Sequence, residues 1–178
     1  MGTDGWTSTS LPYLAAASGG DAWAAEAAAE GRRGSQRIVR AGRVAAPQEV
    51  ADLLGVPVGE PVVARRRVMY LDDEPCELTD TYYPLAIADG TALAGTAKIR
   101  GGAIRLLSEM GYVGARVRED VTARPATGQE QETLLLGPGE PVLQLTRLTM
   151  DDTNRPIQVD MMAMPPRRQK LRYEIRIG

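Results

Sequence analysis

From about residue 36 the chain reads as short segments in which apolar and polar positions alternate, separated by clusters of turn residues, the pattern of half-buried strands. Candidate strands fall at 36–45, 61–71, 76–83, 115–124, 141–150 and 157–164. The closing Leu171-Arg172-Tyr173-Glu174-Ile175-Arg176-Ile177 alternates without a break and predicts a further half-buried strand. Three segments carry a helical period instead. The first, 47–54, has Pro47 where a first helical turn tolerates proline, and the second, 128–136, follows Thr127 with Glu130 at the spacing of a capping box; both are expected to end at glycine. In the third, 101–111, Ala103, Leu106, Leu107 and Met110 keep the period and Gly111 supplies the stop. Asp72-Asp73 and Asp151-Asp152 mark two hairpin turns.

These segments repeat in order. Gly59-Glu60-Pro61-Val62 recurs 80 residues later as Gly139-Glu140-Pro141-Val142, and at the same offset Arg67 matches Arg147 and Asp72 matches Asp152. Each half runs strand, short helix, Gly-Glu-Pro turn, strand, Asp-rich turn, strand. The expected architecture is therefore α+β: an antiparallel sheet of six or seven strands with helices packed on it, made of two duplicated halves. Residues 1–35 differ in kind. Met1–Gly20 is rich in Gly, Ser and Thr, and Asp21–Glu30 is Ala-rich, with Asp21 as an N-cap and Gly31 as a stop. This stretch is read as a linker and a short Ala-rich helix outside the core, with the folded domain at 36–178, and its opening Met1-Gly2-Thr3-Asp4-Gly5 reads like the middle of a longer protein behind a start codon.

Composition narrows the function. A chain of 178 residues with 43% hydrophobic and 25% charged residues can build one core, and it has no apolar run near the roughly 18 residues that a membrane span needs. It has no His and a single Cys, Cys76, so His-based acid–base catalysis, His-ligated metals, zinc knuckles and internal disulfides are excluded, and no cofactor is expected. Cys76, without a His to activate it, reads as an inert strand residue. Gly-x-Ser-x-Gly and the Walker phosphate loop are absent. A net charge of −2 argues against the chain gripping nucleic acid through its overall field, so any DNA role needs another segment.

Of 21 Lys plus Arg, only Lys98 and Lys170 are lysines, a bias that a GC-rich genome explains. Some arginines nevertheless sit where chemistry is possible. In the strand 61–71, Arg65 and Arg67 project to one side and Arg66 to the other, and two residues of strand rise place the pair about 7 Å apart, wide enough to bracket a phosphate or carboxylate. They share their face with Val63 and Met69, so they need anions: a ligand, or carboxylates of neighbouring strands. Glu119 shares an apolar face with Val117, Val121 and Ala123 and must either pair with an arginine or meet a polar ligand. Gly101 and Gly102, before the central helix, either form a plain turn or offer backbone N–H groups to an anion.

Taken together, the residues resemble the UTRA effector-binding domain of HutC-type regulators in the GntR family, a domain with the chorismate lyase fold. The resemblance runs over about 36–178 and rests on Gly59-Glu60-Pro61-Val62 through Arg65-Arg66-Arg67, Glu74-Pro75 to Tyr82-Tyr83-Pro84, Gly101-Gly102 to Gly111-Tyr112, Glu119-Asp120-Val121, Ala123-Arg124-Pro125, Gly139-Glu140-Pro141-Val142, Arg147, Arg155-Pro156 and Leu171-Arg172-Tyr173-Glu174. The Arg- and Ala-rich composition looks actinobacterial. The resemblance implies a cytoplasmic, non-enzymatic sensor that binds a small anionic metabolite, forms a homodimer, and reaches operator DNA only through an N-terminal winged helix-turn-helix absent from this chain. It further implies an effector site at Arg65, Arg67, Gly101, Gly102, Glu119, Gln158 and Arg168. Gly102 stands where sugar-phosphate sensors tend to have Ser, Ile104 where they tend to have Tyr, and Gln158 where Glu is frequent, and Arg167-Arg168 falls where an Asp-Arg pair is common; the ligand itself stays open. Two other readings remain, an enzyme of the same fold acting on a small organic acid and a purely structural dimerisation domain.

Overall fold

The computed structural model describes Trp6–Ser8, Ser10 and residues 22–175. In chain order the elements are β1 (Trp6–Ser8), α1 (Ala22–Ala29), β2 (Gly34–Ala45), α2 (Gln48–Leu54), β3 (Pro61–Leu71), β4 (Glu74–Pro84), α3 (Leu85–Ala88), a 3₁₀ turn (Ala92–Ala94), α4 (Gly102–Glu109), β5 (Arg116–Pro125), α5 (Gly128–Leu134), β6 (Pro141–Met150), β7 (Pro156–Met164) and β8 (Gln169–Leu171). The large sheet has six antiparallel strands in the order β2-β3-β4-β7-β6-β5. Each half supplies a three-stranded meander, and the two join where β4 pairs with β7. The architecture is the expected α+β sheet, with strand limits within two residues of those read from the alternation.

Strand period two sends successive side chains to opposite faces. On one face, Val50, Ala51 and Leu54 of α2 pack with Val62, Tyr82, Leu148 and Val159, and Leu134 of α5 packs with Val68, Leu78, Val142 and Ala163. The duplicated helices thus cover one face. On the other, α3, the 3₁₀ turn and α4 enclose a cluster built on Val63, Tyr83, Ile87, Leu93, Leu107 and Ile157.

Three expectations need correction. The first is the exclusion of residues 1–35 from the core: Trp6, Trp23 and Ala27 are buried with Met69, Leu71 and Cys76, and the strand β2 already begins at Gly34. The two indole rings meet edge to face at 5.2 Å, and Trp23 Nε1 donates to the Tyr70 carbonyl at 2.9 Å. Gly34 permits this, since a Cβ there would lie 2.9 Å from both Trp23 and Ala27 side-chain atoms. The reading of Met1–Gly20 as linker and of Asp21 as a cap falls, apart from 6–8 and Ser10, outside the described residues.

The second is the closing strand. Pairing covers only Gln169–Leu171, which runs parallel to β1 in a separate two-stranded sheet, while 172–175 are exposed and irregular; Arg176 and Ile177 lie outside the described residues. Alternation suits those residues to a sheet edge, but among the described residues 172–175 pair with no strand. The third is the end of α5. It stops at Leu134, and the left-handed position is held by Leu135 (φ 53°), whereas α2 ends on Gly55 (φ 68°) as expected. The capping box at Thr127 and Glu130 is present.

Candidate functional site

Registered pairing lines up five side chains across the face that α4 covers: Arg65, Thr81, Asp160, Arg147 and Glu119, from β3, β4, β7, β6 and β5 in turn. Directly opposite residues share a face, so this row follows from pairing alone. Arg65, Thr81, Asp160 and Arg147 are buried. Next to the Asp160 and Arg147 end lies a cavity of about 420 Å³. Ile104, Leu107 and Ser108 of α4 and the segment Tyr112–Ala115 line it, and the sheet contributes Arg116, Val117, Arg147, Thr149, Ile157, Gln158 and Asp160.

The two expected arginines behave differently from a free anion clamp. Arg65 Nη1 donates to the carbonyls of Ala92 (3.1 Å), Leu93 (3.4 Å) and Gly95, and Nη2 to that of Ala97 (3.3 Å), so its guanidinium organises the segment after α3. Burial lowers its pKa, and the Arg67 charge adds to that. Arg67 Nη2 donates to Thr81 Oγ1 at 3.1 Å while its buried Nε has no partner among the described residues. Neither arginine forms a salt bridge with a described residue, in contrast to Arg66 on the opposite face, whose Nε donates to Asp80 at 2.6 Å. The strand alternation therefore placed all three on the expected sides.

Glu119 is the partner of an arginine, but that arginine is Arg147: Nε donates to Oε1 at 2.6 Å, and both side chains are about nine-tenths enclosed. Arg147 Nη2 also donates to Ser10 Oγ at 3.0 Å. Burial alone would raise the Glu119 pKa; hydrogen bonds from Ser10, Arg147 and Tyr173, with the Arg147 charge, hold it below the ordinary glutamate value. Burial beside Glu119 pushes the Tyr173 phenol up to about 12. Gln158 lines the cavity and donates to Asp160 Oδ2 at 2.7 Å, and Thr81 donates to Oδ1 at 2.6 Å.

The remaining expected residues do not meet the cavity. The Gly102 N–H is already bonded to the Ile99 carbonyl at 3.0 Å, and the Arg105 side chain covers Gly101, lying 2.6 Å from where a Cβ would stand. Here the glycines (φ 80° and 85°) make the turn into α4. Arg168 reaches the carbonyls of Leu134 and Leu135, at the end of α5. Cys76 is buried, donates weakly to the Met69 carbonyl, and has its pKa raised by burial, which disfavours the thiolate. Sequence reasoning passed over Arg147, Asp160, Thr149 and Arg116. Arg147 was the most accessible of these, because the 80-residue offset that pairs it with Arg67 marks the same position of the repeat.

A partly open cavity lined by apolar side chains and a few polar groups is the kind of space in which small molecules bind. Comparison with known proteins gives the family. The UTRA domain model matches residues 29–170, and the chain belongs to the UTRA family, whose domains are the effector-binding parts of GntR-family transcriptional regulators. It is 34% identical over 134 residues to an uncharacterized HTH-type transcriptional regulator of Streptomyces coelicolor, covering 72% of this chain and 49% of the relative. To a second such regulator, from Rhizobium meliloti, it is 31% identical over 136 residues, covering 74% and 54%. The chain thus spans about half the length of these relatives. Among solved structures, PhnF of Mycobacterium smegmatis has the same fold (TM-score 0.79, 18% identity, 98% of this chain and 73% of that one), as does the effector domain of PhnF by itself (0.74, 20%, 87% and 94%). These are regulator domains rather than enzymes. No helix of the described residues is long and apolar enough to cross a membrane.

Proposed function

We propose that this chain is the effector-sensing and dimerisation domain of a cytoplasmic HutC-type GntR repressor, whose winged helix-turn-helix is a segment outside this sequence. A small anionic metabolite enters the cavity between α4 and the sheet, and its binding alters the dimer and with it the placement of the DNA-binding segments. Coupling of this kind needs only that the metabolite bind one arrangement better than the other. The observation that carries the reading is the cavity itself, of about 420 Å³, with Arg147 and Arg116 among its lining residues. Arginine's planar fork suits carboxylates and phosphates.

Gln158 belongs to the proposed site directly, and Glu119 belongs to it as the group that orients Arg147. Arg65, Arg67, Gly101 and Gly102 lie toward the adjoining segment that precedes α4. They enter the site if an anion replaces the carbonyls of Ala92–Ala97 on Arg65. Arg168 has no part in this arrangement. A metabolite screen by thermal shift tests the proposal, repeated on Arg116→Ala and Arg67→Ala. An effector is expected to raise the wild-type midpoint, with a reduced shift in Arg116→Ala, whose exposed side chain leaves the fold unchanged. Loss of the shift only in Arg67→Ala would move the anion subsite to the Arg65 end of the row. No shift with any metabolite, in a chain that sediments as a dimer, would leave a structural dimerisation domain.

A further inference from the structure

We infer that the ligand of this cavity carries a protonated amine and that Asp160 is the residue that receives it, an inference that rests on the cavity being the effector site. Asp160 is 3% exposed and lines the cavity. A carboxylate offers about four lone-pair positions. Two are used, by Thr81 Oγ1 and by Gln158 Nε2, and both donors are neutral. Among the described residues no arginine or lysine nitrogen lies within 4.0 Å of it. Arg147 stands opposite in the ladder, yet its Nε and Nη2 are turned to Glu119 and Ser10.

The chain treats its other enclosed carboxylates differently. Glu130 takes both Nη groups of Arg124, at 2.6 and 2.8 Å, and Glu119 takes Arg147. Arg67 reaches Asp160 only through the Thr81 hydroxyl, and a buried carboxylate with no cation in direct contact is costly unless one is supplied. Asp160 lines the cavity that the ligand is proposed to fill. An ammonium donates three hydrogen bonds, of which two match the open positions of Asp160, and the hydroxyl of Ser108 or Thr149, both lining the cavity, can accept the third.

Charge is also distributed along the cavity. Asp160 lines it as a buried residue, its walls include Ile104, Leu107, Val113 and Val117, and Arg116 is an exposed lining residue that donates to Asn154. A zwitterion with an apolar body fits this lining, its ammonium on the buried Asp160 and its carboxylate toward the exposed rim of the cavity. The site then selects amino acids or ω-amino acids over the corresponding simple acids.

Matched pairs test this by calorimetry and thermal shift: 4-aminobutanoate against butanoate, 6-aminohexanoate against hexanoate, and phenylalanine against 3-phenylpropanoate. For the wild-type chain, the amino member of at least one pair is expected to bind at least tenfold more tightly than its partner. In Asp160→Asn that ratio should fall to about one. The unliganded variant should melt at or above the wild-type temperature, because Asn keeps an acceptor for Thr81 and the Gln158 amide can turn to accept from its NH₂. Equal or tighter binding of the simple acids to the wild type would overturn the ammonium subsite while leaving the effector site in place. A fall of several degrees in Asp160→Asn, or failure to fold, would make Asp160 a structural group and overturn it as well. Binding by no member of any pair also overturns it, and the metabolite screen on Arg116→Ala then judges the effector reading separately.

Discussion

The two halves of the sheet descend from one plan, but their buried arginines have different surroundings. In the first half Arg65 is saturated by backbone carbonyls of the segment after α3, so the space above it is filled by the chain itself. In the second, Arg147 is matched to Glu119, and the space beside it is the cavity. A guanidinium fully engaged by carbonyls acts as a structural rivet; one balanced by a single carboxylate retains a face for a ligand. The duplication supplied the same residue type at Arg67 and Arg147, and the connection between the halves decided which end of the face stayed open. That connection, residues 85–115, carries α3, the 3₁₀ turn and α4 between β4 and β5.

The largest expected effect comes from breaking the Arg147–Glu119 pair. Replacing Arg147 by Met leaves Glu119 enclosed beside only Ser10 and Tyr173, which should cost about 3–5 kcal/mol in chemical denaturation, as for other enclosed ion pairs that lose one partner. The double variant Arg147→Met with Glu119→Leu should recover much of that loss. If the single and double variants are equally unstable, the pair is not the source. The pH dependence follows from the same pair. The folded-state pKa of Glu119 lies below its unfolded value, so its contribution is present above the unfolded pKa and is lost as pH falls through the folded one. Urea midpoints in mildly acidic buffer should therefore drop less steeply in Glu119→Gln than in the wild type.

Arg65 provides the contrasting case. Arg65→Met removes donors from the carbonyls of Ala92, Leu93, Gly95 and Ala97 and should cost about 2–3 kcal/mol, the scale of leaving enclosed acceptors unpaired. Amide exchange should speed up locally in 92–101, with little change near Arg147. Uniform acceleration across the sheet would show that the 92–97 segment is held by its apolar contacts instead.

How far the sequence discloses this arrangement depends on the range of the interactions. Alternation along β3 and the two Asp-rich turns are local, and they placed Arg65, Arg66 and Arg67 on their proper faces. Register across the sheet is not local. Glu119 was visibly a carboxylate in need of a partner, but only the pairing of β5 with β6 selects Arg147 over Arg65 or Arg67. Asp160 gave no local signal, because its lack of a directly contacting cation depends on how Arg147 and Arg67 are engaged on neighbouring strands. Trp6 and Trp23 were hidden for a further reason: a Gly-, Ser- and Ala-rich composition masks two large side chains whose burial depends on the far ends of β3 and β4.

The smallest effects compare the duplicated helices at their ends. Gly55 and Leu135 occupy equivalent left-handed positions, and a side chain there costs about 1–2 kcal/mol because Cβ crowds the following carbonyl. Leu135 is 65% exposed, so its side chain recovers little of this by packing. Leu135→Gly should therefore stabilise the chain by about 1 kcal/mol even after the entropy that glycine adds to the unfolded state, while Gly55→Leu should destabilise it by a similar amount. Thermal midpoints a few degrees apart in opposite directions would support that view. A lower midpoint for Leu135→Gly would mean that Leu135 is covered in the assembled protein, and would place the end of α5 at a contact with another subunit or segment rather than at a free helix end.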